Sequence, residues 1–191
     1  MSPDDVRARY EGIRAELGPG VTIVAATKYV SVEDMAVLVE AGIEVVGENR
    51  AQDLAAKHAA YGRAFRWHFI GHLQSRKAAT LNETCELVHS LASESAARRL
   101  TIPALVEVNL SDEPTKSGVP PEHLEELLAV YPDVRGLMTM PPLTADPEAS
   151  RPYFRRLREL AELSMGTSQD FRVAVEEGAT YVRLGSALWG P

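Results

Sequence analysis

Lysine is scarce in this chain. Only Lys28, Lys57, Lys77 and Lys116 occur among 20 Lys and Arg residues. Lys28 follows the run VTIVAAT (21–27), which holds only Val, Ile, Ala and Thr. Such a run reads as a strand buried on both faces, and lysine is rarely buried without a partner. Two readings of Lys28 stand. In one it snorkels to solvent as a plain cation. In the other the apolar strand end desolvates its amine and lowers its pKa, giving a nucleophile that forms a Schiff base with an aldehyde. Where charge alone suffices this chain uses arginine, so a retained lysine hints at a need for the amine.

Two later stretches carry complementary chemistry. In LSMGTSQDFRVAVEEG (163–178) a strand ends in Ser164, Gly166 and Ser168, and Ser168 is placed to cap the following helix. Gly166 lets backbone approach a ligand, and free N–H groups at a helix start favour an anion such as phosphate. An ordinary capped turn explains the same residues. In VRLGSALWG (182–190), Arg183 lies inside an apolar strand and needs a partner, and Gly185-Ser186 forms another small-residue turn. The histidines say less. His68 and His72 span a strand end and a Gly turn, with no metal-ligand spacing around them. No G-x-S-x-G elbow is present. Asp112 and Glu113 fall in a turn-rich loop, where solvated side chains are expected.

The elements that position these residues alternate along the chain. A helix is expected over 3–17, with Ser2 as its cap. Strand-like runs follow at 21–27, 43–49, 66–71, 87–93, 102–110, 134–142, 162–166 and 181–190. Helical stretches separate them, one of them capped by Ser31 and another around 147–162. Eight strands alternating with helices imply parallel βαβ units. Eight closes a (β/α)8 barrel of the TIM type, with polar residues gathered at the carboxyl ends of its strands. A doubly wound sheet is the competitor, but no Gly-rich dinucleotide fingerprint follows the first strand. No helix is expected after strand eight, so the N-terminal helix (1–18) is expected to pack beside it. The whole of 1–191 reads as one barrel domain.

Composition narrows the partners. The net charge is −7 and no basic face is evident, which argues against nucleic acid. No apolar run approaches the ~20 residues of a membrane span. One cysteine, Cys85, permits no internal disulfide, which fits a reducing, cytoplasmic setting. The acidic surface is compatible with a monomer.

An amine at one strand end and an anion cup after strands seven and eight suit a phosphorylated aldehyde such as pyridoxal 5′-phosphate, PLP. The stretches AATKYVS, GENRAQDL, WHFIGHLQSRKA, VHSLAS, VEVNLSDEPTKSGV, RGLMTMPP and LSMGTSQDFRVAVEEGATYVRLGSALWG together resemble the pyridoxal phosphate homeostasis protein family. That family's barrel is similar to the N-terminal domain of alanine racemase. The resemblance implies that Lys28 holds PLP as a Schiff base. It implies that Ser164, Gly166, Ser168, Gly185 and Ser186 hold the phosphate, and that Arg183 faces the pyridine nitrogen. It also implies that Asn49 and His68 line the pocket. Val30 departs from the pattern where relatives often carry a second lysine; Arg76 stands in place of Asn, and Ala92 in place of Asp.

The function expected is PLP carriage and homeostasis, with apo PLP-dependent enzymes as recipients. The alternatives are a PLP enzyme such as an amino-acid racemase, or a barrel enzyme for another phosphorylated ligand. Racemisation needs an acid/base group on each face of the substrate carbon. Here Lys28 supplies one, Tyr29 is expected to point away from it, and the chain stops soon after strand eight.

Overall fold

The eight apolar runs form parallel strands that close into a barrel in the order β1 to β8. The computed structural model describes residues 2–111, 116–158 and 162–190. In chain order the elements are α1 (Pro3–Leu17), β1 (Thr22–Ala26), α2 (Met35–Glu40), β2 (Val45–Glu48), α3 (Ala51–Tyr61), β3 (Arg66–Phe69), α4 (Ala78–Thr84), β4 (Leu87–Leu91) and α5 (Glu94–Ala97). Then come β5 (Ala104–Glu107), α6 (Leu124–Val130), β6 (Val134–Met138), α7 (Arg151–Leu157), β7 (Glu162–Thr167), α8 (Phe171–Glu176), β8 (Tyr181–Leu184) and α9 (Ser186–Trp189). β1 pairs with β2 on one side and with β8 on the other, which shuts the ring. The (β/α)8 expectation therefore holds, and the doubly wound sheet does not.

Several expected elements shift. A short helix, α9, does follow β8, against expectation. The helix α1 packs against α9 and α2, so it flanks the seam where β8 meets β1. Val6 and Tyr10 are its buried residues, and Arg9 donates to the Leu188 carbonyl at 3.2 Å. Ser2 caps α1 as expected, accepting from the Asp5 N–H at 3.3 Å. Ser31 accepts from the Asp34 N–H at 3.1 Å, but it caps a turn that precedes α2, which begins at Met35. The helix expected around 147–162 is a single 3-10 turn, Pro147–Ser150, followed by α7. Asp112 and Glu113 lie outside the described residues.

The core has two parts. The larger lies between barrel and helices, where Leu38, Leu54, Leu81 and Phe154 are fully buried. The smaller is inside the barrel. Leu87, Leu105 and Met138 pack there with Tyr181, and residues from β4, β5, β6 and β8 meet only across the interior. Side chains thus fill the barrel below its carboxyl-terminal mouth, as eight strands require. Among the described residues no helix is long and apolar enough to cross a membrane.

β6 and β7 approach closely at Gly136, where an added Cβ would lie 1.8 Å from the Glu162 carbonyl oxygen. Backbone cannot yield as a flexible side chain can. Gly136→Ala is expected to cost about 3 kcal/mol or more, at the upper end of overpacking. Urea unfolding of the variant measures this, and a loss under about 1 kcal/mol would show that the two strands part easily.

Candidate functional site

The carboxyl ends of the strands surround a cavity of about 670 Å³. Lys28, Asn49, Ser168, Arg183, Gly185 and Ser186 all line it. Gly166 lines a smaller cleft of about 110 Å³ that shares Met140, Thr167, Gln169 and Arg183 with the main cavity. His68 and Ser164 line neither. Both are buried in the barrel interior below, at 1% and 0% exposure.

Lys28 differs most from its expectation. β1 ends at Ala26, and Lys28 sits in the turn beyond it, exposed. The desolvation expected there is absent. Its Nζ lies 4.7 Å from the centre of the Tyr29 ring. Tyr29 is 87% exposed and lines the same cavity. Strand alternation would have sent the two side chains opposite ways, but it ends where the chain turns.

The buried amine is Lys57, on α3. Its Nζ pairs with Glu48 Oε1 and donates to the Thr27 carbonyl at 2.8 Å. Thr27 donates its hydroxyl to the same Glu48 oxygen at 2.6 Å. Glu48 is fully buried, and its Oε2 has no hydrogen-bond partner among the described residues. Thr27 precedes Lys28, and Glu48 precedes Asn49. One buried ion pair therefore fixes the two chain ends that deliver both residues to the cavity. This cluster was missed in the sequence. Lys57 follows Ala51 and Leu54 at three-residue intervals on the buried face of α3, and that signal was available.

The opposite wall is built by β7, β8 and α9. Ser168 does not cap α8, which starts at Phe171. Its Oγ accepts from the N–H groups of Gly185 and Ala187 at 3.0 and 3.1 Å, so these donors converge on one point beside the cavity. Asp170 organises the β7–α8 turn instead. Its Oδ1 accepts from the Thr167 N–H and hydroxyl at 2.8 and 3.0 Å. Gly166 has φ +91°, and a Cβ there would lie 2.6 Å from the Ala174 Cβ. Close packing of β7 on α8 thus explains this glycine. Trp189, also missed, lines the cavity and ties α9 to β1 by donating to the Ala26 carbonyl at 3.0 Å.

Arg183 reaches the cavity floor from β8. Its partners are neutral: NH1 donates to Ser164 Oγ at 2.5 Å and NH2 to the Thr139 carbonyl at 3.1 Å. Burial lowers its pKa to about 10, which leaves it charged at neutral pH. Below it, Ser164 Oγ lies 2.7 Å from His89 Nδ1, and His89 Nε2 lies 2.9 Å from His68 Nδ1. Burial lowers the His68 pKa to about 3, helped by the charge of Arg66. Burial, then His68 and Arg183, hold His89 well below its ordinary value. Both rings are neutral near pH 7. Among the described residues no three His, Cys, Asp or Glu side chains form a group suited to a metal ion.

Comparison with known proteins gives this geometry relatives. The family described as alanine racemase, N-terminal domain, matches residues 1–191. The pyridoxal phosphate homeostasis protein of Aquifex aeolicus is 41% identical, over 88% of this chain and 86% of its own. That of Pseudomonas aeruginosa is 39% identical, over 78% and 75%. Among solved structures, PipY of Synechococcus elongatus PCC7942 with PLP bound superposes with TM-score 0.86 at 30% identity, covering 97% of this chain and 100% of that one. Alanine racemase from Bartonella henselae, at 13% identity and TM-score 0.77, shares the fold; the match covers all of this chain and 60% of that one.

Lys57→Met strands a buried carboxylate and is expected to cost about 3–5 kcal/mol, most of it recovered in Lys57→Met/Glu48→Leu. Denaturant unfolding of the three proteins checks this, and a single variant of near-native stability would remove the latch. The buried histidines set a pH dependence. The unfolded chain protonates His68 near 6.5 and the folded chain only near about 3, so stability falls as pH drops below 6.5. Going from about pH 6.5 to about pH 5 should cost about 2 kcal/mol from His68 alone, with His89 adding in the same direction. Urea midpoints that stay flat across that window would contradict two neutral buried rings.

Proposed function

Because the chain belongs to the pyridoxal phosphate homeostasis protein family, we propose that it binds PLP at the barrel mouth and serves cytoplasmic PLP carriage, passing the cofactor to apo PLP-dependent enzymes. The observation that carries this reading is the pairing across one cavity of a primary amine, Lys28, with the Ser168 and Ser186 hydroxyls, Ser168 being fixed by the Gly185 and Ala187 N–H groups it accepts from.

The residues present fit the group. The amine suits an aldehyde: Lys28 would hold the group through Nζ, as a Schiff base formed with loss of one water. Ser168 and Ser186 suit a phosphate through their hydroxyl donors, while the Gly185 and Ala187 N–H groups hold Ser168 in place. Arg183 offers only donors, so it suits a pyridine nitrogen that stays unprotonated. PLP supplies an electron sink when bound, and an unprotonated ring nitrogen makes that sink weak. Asn49 takes part in the wall beside Lys28. His68 and Ser164 act from below the floor, and Gly166 through the shape of the turn.

The distribution of titratable groups favours carriage over racemisation. Lys28, Tyr29 and Asp34 line the cavity, and all three come from the segment between β1 and α2. Besides them, Arg183 is the one ionisable side chain among the described lining residues. Two-face proton transfer calls for groups on opposite sides, and this arrangement loads one side. A monomer suits such a role, because no residue of a second copy is needed to build the cavity.

Purified protein mixed with PLP is expected to gain absorbance beyond the protein band. Borohydride should then fix pyridoxyl phosphate on the peptide containing Lys28. Lys28→Ala should bind PLP about a hundredfold more weakly, equivalent to ~2.7 kcal/mol. A label on Lys57, Lys77 or Lys116, or an unchanged chromophore in the variant, sinks the assignment. Carriage is tested by adding the loaded protein to an apo PLP enzyme and following recovery of that enzyme's activity. Steady turnover of an amino acid near ~10 s⁻¹ by the protein itself would favour a racemase-type enzyme instead.

A further inference from the structure

We propose that His89, backed by His68, is a positioning residue for Arg183: the two rings turn the Ser164 hydroxyl so that its lone pair holds the guanidinium at the cavity floor. The functional consequence rests on the PLP reading above, while the hydrogen-bond direction stands apart from it.

The direction follows from counting donors. A guanidinium has no acceptor, so Ser164 Oγ accepts from Arg183 NH1. Ser164 is 0% exposed, so no bulk water takes its hydrogen. His89 Nδ1, at 2.7 Å, is the remaining partner among the described residues, and the hydroxyl donates there. His89 Nδ1 must then be bare. A neutral ring with a bare Nδ1 carries its proton on Nε2, which faces His68 Nδ1 at 2.9 Å. His68 therefore accepts at Nδ1 and holds its own proton on Nε2. The chain runs one way, Arg183 to Ser164 to His89 to His68. Reversing it would put His89 Nδ1–H on Ser164 and leave the buried hydroxyl hydrogen without an acceptor, a costly outcome.

Packing holds the two rings in place. Tyr181 stands edge-on to both, with ring centres 5.3 Å from His89 and 6.0 Å from His68. Leu87, Leu105 and Met138 lie in the apolar layer that Tyr181 joins. Apolar side chains would fill this level at lower cost, because each buried polar group must find a partner. The chain ends at Arg183, which lines both the main cavity and the adjoining cleft. Its two terminal nitrogens are committed to Ser164 and Thr139, so the guanidinium is fixed before any ligand enters.

The first test uses ¹⁵N-labelled protein without PLP. Long-range ¹H–¹⁵N correlation should show His68 and His89 both as Nε2–H tautomers, identified by their loss in single substitutions. A His89 Nδ1–H tautomer overturns the proposed direction. The second test compares His89→Leu with His89→Asn, whose amide oxygen stands close to the Nδ1 position and accepts the Ser164 hydroxyl. His89→Leu is expected to bind PLP about tenfold more weakly, and His89→Asn to recover most of that loss. The ¹⁵N shift of labelled pyridine nitrogen in bound PLP should move toward the protonated form in His89→Leu and return in His89→Asn. If both variants keep the native affinity and shift while melting like the parent, His89 does not position Arg183. Should His89→Leu fail to fold, Ser164→Ala takes its place, with the same tenfold loss expected. Absence of PLP binding by the parent would defeat the functional reading and leave the tautomer result to decide the hydrogen-bond chain.

Discussion

Closure of the barrel joins the first strand to the last, and every feature of the site depends on that seam. β1 pairs in parallel with β8, Thr22 opposite Tyr181 and Val24 opposite Arg183. The register places the turn that holds Lys28 beside the turn that holds Gly185 and Ser186. One reinforcement crosses the seam above the strands and a second ties the neighbouring β7 turn to β8. Trp189 bonds the Ala26 carbonyl, and Ser168 gathers two N–H groups of the β8–α9 turn. Outside it, α1 spans α2 and α9. Lys28 and the Gly185–Ser186 turn, from opposite ends of the sequence, become neighbours only because parallel strands pair there.

Polar burial then sharpens what closure brings together. Two clusters sit just under the mouth, one on each side of the barrel wall. Outside, between wall and helix, Lys57, Glu48 and Thr27 lock the ends of β1 and β2. Inside, His68, His89 and Ser164 support Arg183 from β8. Neither adds much to stability against an apolar alternative, since desolvation offsets most of the gain. Their shared effect is geometric. Each fixes a group that touches the cavity by giving its neighbours a single satisfied arrangement.

The eight-fold alternation was legible because apolar runs and helical stretches take turns along the whole chain. Element ends were not, since strand pairing stops where the chain begins to turn, and Lys28 lies beyond that point. Depth in the barrel was also hidden. Ser164 and His68 face inward as alternation requires, but strand tilt sets which layer each occupies, and the sequence carries no tilt. Ser168 read as a helix cap because a hydroxyl near a helix start has a local partner at hand. Its real partners, on β8 and α9, are tertiary. Lys57 could have been found, since a lysine in register with Ala51 and Leu54 breaks an apolar face and so demands a buried anion.

The resulting site is rigid behind and open in front. Arg183 is buried, and the Ser168–Gly185 turn is pinned by its own hydrogen bonds. Lys28 is exposed, with Tyr29 at 87% and Met140 at 51% exposure beside it. A catalyst gains from the reverse, because excluding water strengthens every electrostatic contact around the reacting atoms. The carriage proposed above, holding and releasing an aldehyde, suits this open arrangement. On the reading proposed above, the fixed back wall would recognise ring and phosphate. The bond proposed at Lys28 would lie at the solvent edge, where water or an incoming amine reaches it. The same openness leaves Lys28 exposed, and the seam between β1 and β8 sets where it lies.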